Sequence, residues 1–269
     1  MSVEALSLCL WVLIALCAAT WLASLLTNEH SWVDRIWSIA PVVYAWIFAS
    51  GAGFASLRLN VIAALITLWG TRLTFNFARK GGYRPGGEDY RWEHLRQGMN
   101  PAAYQVFSLL FIAIFQNVLL LLITLPMQVA LDNVRVPFGA TDGILALLFV
   151  GLLVTETVAD QQQWDFQQFK KAEQAAGREV KPGFLRTGLF SLSRHPNFFC
   201  ELAQWWVVFL FGATATGTVL NWSVTGPLLL TALFIGSTRF TEAISASKYP
   251  EYEEYRNEVS ALIPWFSRK

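Results

Sequence analysis

The sequence predicts an all-α integral membrane protein of about seven transmembrane helices, forming one multi-pass domain over residues 1–269. Three observations lead there. Of the 269 residues, 54% are hydrophobic and only 14% are charged, against about one-quarter charged in an average soluble domain. The apolar residues come in long runs, several of them near the roughly 20 that cross a bilayer. The basic residues gather in alternate connecting segments, as they do when one side of a membrane retains them.

Taken in order, the first run covers 5–26. Glu4 precedes it, no Lys or Arg does, and it exceeds 20 residues. It therefore reads as a retained span rather than a cleaved signal peptide. The second, 31–50, follows across a tight connection at 27–30. The third and fourth cover 59–78 and 104–130, the fifth 141–158. The sixth, 198–211, is short and reads as tilted or partly re-entrant, and the seventh covers 222–241. No internal repeat or low-complexity segment interrupts them.

Orientation follows from Lys and Arg. Segments 79–103 and 159–197 and the C-terminal tail hold fifteen of them, including Arg79, Lys80, Arg96, Lys170, Lys171, Arg178, Arg186, Arg268 and Lys269. The opposite side has only Arg58 and Arg135. The N-terminus is thus expected outside and the C-terminus in the cytoplasm. A multi-pass protein of a bacterial inner membrane fits this pattern.

Cys9, Cys17 and Cys200 all lie in apolar runs and read as buried thiols. His30, His94 and His195 are scattered, with no metal-ligand spacing, so no metal is expected. The net charge of +1 gives no reason to expect nucleic acid.

Charges within the apolar runs point to function. Asp34, Arg35, Arg72, Glu156, Asp160, Glu201, Arg239 and Glu242 lie in spans or at their ends, where a charge costs several kcal/mol unless paired or hydrated. The plain alternative is interhelical ion pairing or snorkelling at the interface. Spacing gathers these residues. Glu156 and Asp160 are four apart, as are Asn197 and Glu201, while Arg239 and Glu242 are three apart, so each pair shares a helix face. A polar cavity open to the cytoplasm, suited to a nucleotide cofactor, is the expectation. The Gly-rich basic stretch around Gly81-Gly82 and Gly86-Gly87 reads either as a loop turning backbone N–H groups toward phosphate or as a flexible positive loop.

Several stretches carry a family resemblance: SWVDRIWSIAP (31–41), LWGTRLTFNFARKGG (68–82), EDYRWEHLR (88–96), ETVADQQQWDF (156–166), GLFSLSRHPNFFCELAQWW (188–206) and ASKYPEYEEYRNEVSALIPWF (246–266). The chain resembles the steroid 5-alpha-reductase-like membrane reductases, and among them the bacterial DUF1295 branch. The resemblance implies a seven-helix fold, NADPH in a cytoplasmic-facing cavity and a lipid-accessible substrate pocket. It also implies reduction of a carbon–carbon double bond conjugated to a carbonyl in a steroid, isoprenoid or acyl lipid. It assigns to the cofactor Arg72, Arg84, Asp160, Asn197, Glu201, Glu242, Lys248, Tyr252 and Tyr255; charge, spacing and position add Arg91, Glu156, Arg194 and His195 to the expected cofactor site. Where the steroid enzymes carry a Glu and a Tyr at the substrate carbonyl, this chain has Asp34 and Trp69, and Asp34 is the expected acid. No soluble-type G-x-G-x-x-G motif is present. Two other readings remain at this point. One is an S-adenosylmethionine-dependent methyltransferase of the isoprenylcysteine type, suggested by the Arg-His-Pro segment and the Tyr-rich tail. The other is a non-enzymatic lipid-binding membrane protein.

Overall fold

The computed structural model describes residues 2–265, apart from the side chain of Tyr90; Arg268 and Lys269, counted above for orientation, lie outside them. All regular structure among the described residues is helical. The helices are α1 (Ser2–Thr27), α2 (Trp32–Ile36), α3 (Ala40–Gly51), α4 (Leu57–Arg79), α5 (Tyr90–Gln97), α6 (Pro101–Phe107), α7 (Gln116–Leu122), α8 (Pro126–Asp132), α9 (Ala140–Ala175), α10 (Pro196–Thr216), α11 (Thr225–Lys248) and α12 (Tyr252–Glu258). A π-helical stretch, Ser108–Phe115, joins α6 to α7.

Among these, five segments are long and apolar enough to cross a membrane: Ser2–Thr27, Leu57–Arg79, Pro101–Asp132, Ala140–Ala175 and Pro196–Thr216. Two of the expected spans differ. The run at 31–50 is broken into α2 and the shorter apolar α3, and the polar groups of Ser31, Asp34, Arg35 and Ser38 bond partners in other segments: Asp89, Trp92, Gly82 and Thr74. The last run lies in α11, whose second half carries Arg239, Glu242 and Lys248 and dilutes its hydropathy. The helix expected to end at 158 continues to Ala175. At about 1.5 Å per residue its 36 residues make a rod of roughly 54 Å, well beyond the ~30 Å hydrocarbon layer.

The chain divides into two compact units: Met1–Leu148 with Trp205–Leu230, and Phe149–Gln204 with Thr231–Lys269.

In the first unit, α3 and α4 run antiparallel. Ser38 meets Thr74 at 2.6 Å and Trp46 Nε1 donates to Thr67 at 3.0 Å. Between these rungs sits Gly70, where a Cβ would lie 2.5 Å from the carbonyl oxygen of Ser38 and 2.6 Å from Val42. Only glycine permits this approach of the two backbones.

The same unit holds a fully buried ion pair. Arg58 donates through Nε and Nη2 to both Asp142 oxygens at 2.8 Å, and its other bonds go to the carbonyls of Val136 and Pro137. Thr214 and the N–H of Gly139 donate to the same carboxylate. Arg58, read from sequence as a loop charge, is thus an internal clamp. The bonds around it offset the desolvation that makes buried ion pairs costly.

Candidate functional site

The sequence-selected residues fall into both units. Asp34, Arg72, Arg84 and Arg91 belong to the first; Glu156, Asp160, Arg194, His195, Asn197, Glu201, Glu242, Lys248, Tyr252 and Tyr255 belong to the second.

In the first unit, the segment from Glu29 to Arg35 grips the Gly-rich loop. Glu29 accepts from the N–H of Gly86 at 2.7 Å and from Arg35 at 2.5 Å. Those contacts, the Gly86 N–H first, hold its carboxyl below the usual range. Arg35 also donates to the carbonyls of Gly82 and Arg84, and Tyr83 donates back to the carbonyl of Arg35. The N–H groups of the loop glycines are taken up within the protein, one of them by a carboxylate. Gly81 and Gly82 donate to Ala78 and Phe77, Gly87 to Arg84 and Gly86 to Glu29. The phosphate-cradle reading of this loop is corrected accordingly: the amides are spent on folding it.

Asp34 sits on the short α2, outside the five candidate spans. It is not paired with its neighbour Arg35, which faces Glu29. Instead it accepts from the indole N–H of Trp92 at 2.8 Å. Burial pushes the Asp34 carboxyl up to about 6; the Trp92 bond opposes this, Asp89 reinforces it and Arg91 opposes it. Arg91 is held bidentate by Asp89, the N-cap of α5. Arg72 is half-buried on α4, and Arg84 is exposed.

In the second unit, α9 and α10 bring a strip of acids and amides together. Glu156, Asp160 and Glu201 are buried. Asn197 donates to Asp160 at 3.3 Å, and Gln204 donates to Glu156 at 2.7 Å. The other amide atom of Gln204, Oε1, is fully buried and accepts no hydrogen bond among the described residues. Gln204 was not selected from sequence. Its spacing marked it all the same, since Asn197, Glu201 and Gln204 follow i, i+4, i+7 on one helix face.

Arg194, His195 and Glu242 form a separate knot. Arg194 donates to both oxygens of Glu242 at 2.7 and 3.0 Å, and His195 Nε2 lies 3.1 Å from the same carboxylate. Arg194 also binds the carbonyls of Arg256 and Val259. Burial alone would raise the Glu242 carboxyl; bonds from His195 and Arg194, with their charge, outweigh it and bring it to about 2. These three residues are committed to one another and to the C-terminal segment. Tyr252 and Tyr255 pack around Phe184 and Val259, and the Tyr255 hydroxyl donates to the carbonyl of Phe190 at 2.5 Å. Burial pushes the Tyr252 phenol up to about 12 and raises that of Tyr255 as well. Lys248 is exposed at the end of α11.

The model of the family described as a protein of unknown function (DUF1295) matches residues 20–259. The chain belongs to the DUF1295 family. Its membership covers every candidate site residue named above. An uncharacterized protein of Schizosaccharomyces pombe (strain 972) is 42% identical over 260 residues, covering 91% of this chain and 75% of the yeast protein. No solved structure matches the chain. No group of three or more metal-ligating side chains occurs among the described residues of this DUF1295 protein.

Proposed function

We propose that this DUF1295 protein is an NADPH-dependent membrane oxidoreductase. Its reaction would be reduction of a carbon–carbon double bond conjugated to a carbonyl in a lipid-like substrate. The observation that carries this reading is the strip of buried Glu156, Asp160, Glu201 and Gln204 with half-buried Asn197, and its unfilled acceptor at Gln204 Oε1. Acceptors in such density suit the ribose hydroxyls and carboxamide N–H groups of a nicotinamide nucleoside. Asp160, Asn197, Glu201 and Gln204 would hold that end of the cofactor. In the first unit, Arg72 and Arg84 are the guanidinium groups that the resemblance assigns to phosphate. NADPH, when bound, supplies the hydride. Asp34, partly protonated near neutrality, is assigned as the proton donor.

The resemblance to steroid 5-alpha-reductase-like enzymes supports this reading, as does the basic character of alternate connecting segments. With α3 and α11 added to the five long apolar segments, the span count reaches seven, with the N-terminus outside and the C-terminus in the cytoplasm. The same pattern fits a bacterial inner membrane.

Mass spectrometry of small molecules retained by the detergent-solubilised protein tests the assignment. NADPH is the expected finding. Retained S-adenosylmethionine would make the protein a methyltransferase, and a retained lipid without any cofactor would make it a lipid-binding protein. In calorimetry, Asn197→Ala should weaken NADPH binding by about 1–3 kcal/mol.

A further inference from the structure

The last described stretch of the chain, Ser260–Trp265, is tied by its backbone to the residues just before a membrane span. The N–H groups of Arg194 and His195 donate to the carbonyls of Ser260 and Ala261 at 2.9 and 3.1 Å, and the N–H of Trp265 donates to the carbonyl of Leu192 at 2.9 Å. The Ser193 hydroxyl donates to the carbonyl of Leu262 at 2.8 Å. The candidate span α10 starts at Pro196. Ser260 and Ala261 are therefore fastened to residues one or two positions before the first residue of that candidate span, at most about 7 Å along an extended chain.

At this level the tail turns two large apolar side chains outward. Ile263 and Trp265 are each 68% exposed. Trp265 also lines a polar cavity of about 280 Å³, together with Arg256, Asn257 and Ser260. An aromatic ring with one wet flank and one open apolar flank is what the headgroup zone of a bilayer accommodates.

We infer that Ser260–Trp265 is an interfacial anchor whose partner is the phospholipid surface beside α10. The anchoring is apolar rather than electrostatic. Among the described residues, three basic groups beside the tail are each paired with an acid: Arg186 with Glu258 at 2.9 Å, Arg194 with Glu242 at 2.7 Å and Arg256 with Glu253 at 2.8 Å.

The test places a nitroxide at Ile263→Cys or, separately, at Trp265→Cys in the full chain with Cys17→Ala. Cys9 and Cys200 are buried and stay. Glu179→Cys, at a side chain 76% exposed, is the aqueous reference. The protein is reconstituted into phosphatidylcholine vesicles with or without phosphatidylglycerol. Power saturation compares access of oxygen, which concentrates in lipid, with access of a water-soluble nickel chelate. Both tail positions should favour oxygen over nickel several-fold relative to Glu179, equally in the two lipid mixtures. Nickel access equal to that at Glu179 would place the tail in water and overturn the inference. Exclusion of both reagents would mean a protein covers the patch, and would overturn it too. A preference for oxygen only with phosphatidylglycerol would replace the apolar anchor with an electrostatic one. Two labelled positions keep the test open if one variant fails to fold.

Discussion

Arg194 and Glu242 stand 48 residues apart in sequence and meet in a two-pronged ion pair, Nε to Oε1 at 2.7 Å and Nη2 to Oε2 at 3.0 Å. Both are buried among Tyr252, Val259 and the α10 entry. Removing one partner leaves an uncompensated buried charge, so Glu242→Ala should cost about 3–5 kcal/mol of stability. A thermal melt of the detergent-solubilised protein measures this. The pH dependence has a definite sign. The folded carboxyl sits at about 2, below its ordinary 4.5. Its contribution is present above 4.5 and is lost as pH falls toward 2. Glu242→Gln should flatten that acid limb of the melting curve.

Asp34 has the opposite sign. Its folded value of about 6 lies above the ordinary 3.8, so the fold favours the protonated form. That contribution is complete below 3.8 and is lost as pH rises through about 6. Asp34→Asn keeps an acceptor for Trp92, and it should raise the melting temperature above pH 6 while changing little near pH 3.8. If the variant melts lower at every pH, Asp34 is charged in the fold and the assignment as an acid fails. Under the proposed reaction, turnover of the parent should fall as pH rises through about 6.

Gly70→Ala tests the α3–α4 approach. The new methyl would meet the backbone of Ser38 and the side chain of Val42, and overpacking of this kind costs about 1–3 kcal/mol. A melt unchanged from the parent would show that the two helices separate without penalty.

Arg58→Ala should be the most damaging change in the first unit. It strands Asp142, which keeps only Thr214 and the N–H of Gly139. The expected loss is about 3–5 kcal/mol, seen as a lower melting temperature. Arg58→Ala with Asp142→Ala should recover part of it, because no lone charge remains.

The apolar runs were legible because hydrocarbon tolerates little else, and α1, α4, α9 and α10 lie where such runs begin. Breaks within runs were harder to read. The run at 104–130 reads as one span although Pro126 opens α8 within it, and nothing in SLLFIAIF marks Ser108–Phe115 as π-helical. The run at 31–50 reads as continuous because Ser31, Asp34 and Arg35 declare their partners only in three dimensions, across 58 residues to Asp89 and six to Glu29. The same limit hid the Arg194–Glu242 knot. Helical spacing brought out Asn197 with Glu201, and Glu156 with Asp160, since those pairs are local. It could not show that Arg194 and His195 are bound to a carboxylate on a distant helix. Glycine content suggested an anion cradle at 81–87, whereas the actual acceptors of those N–H groups, among them Phe77 and Glu29, are ordinary-looking residues.

The Arg58 clamp also sets a schedule for biogenesis. Its partner Asp142 is 84 residues further along the chain, and Thr214 follows 72 residues after that. At about 5–20 residues per second, a ribosome takes roughly 4–17 s to deliver Asp142 after Arg58. For that interval α4 carries an unmatched guanidinium near its start, in a segment otherwise apolar enough to enter lipid. Until α9 arrives, that guanidinium has to stay hydrated, by snorkelling to the interface or by lying in a wetted site.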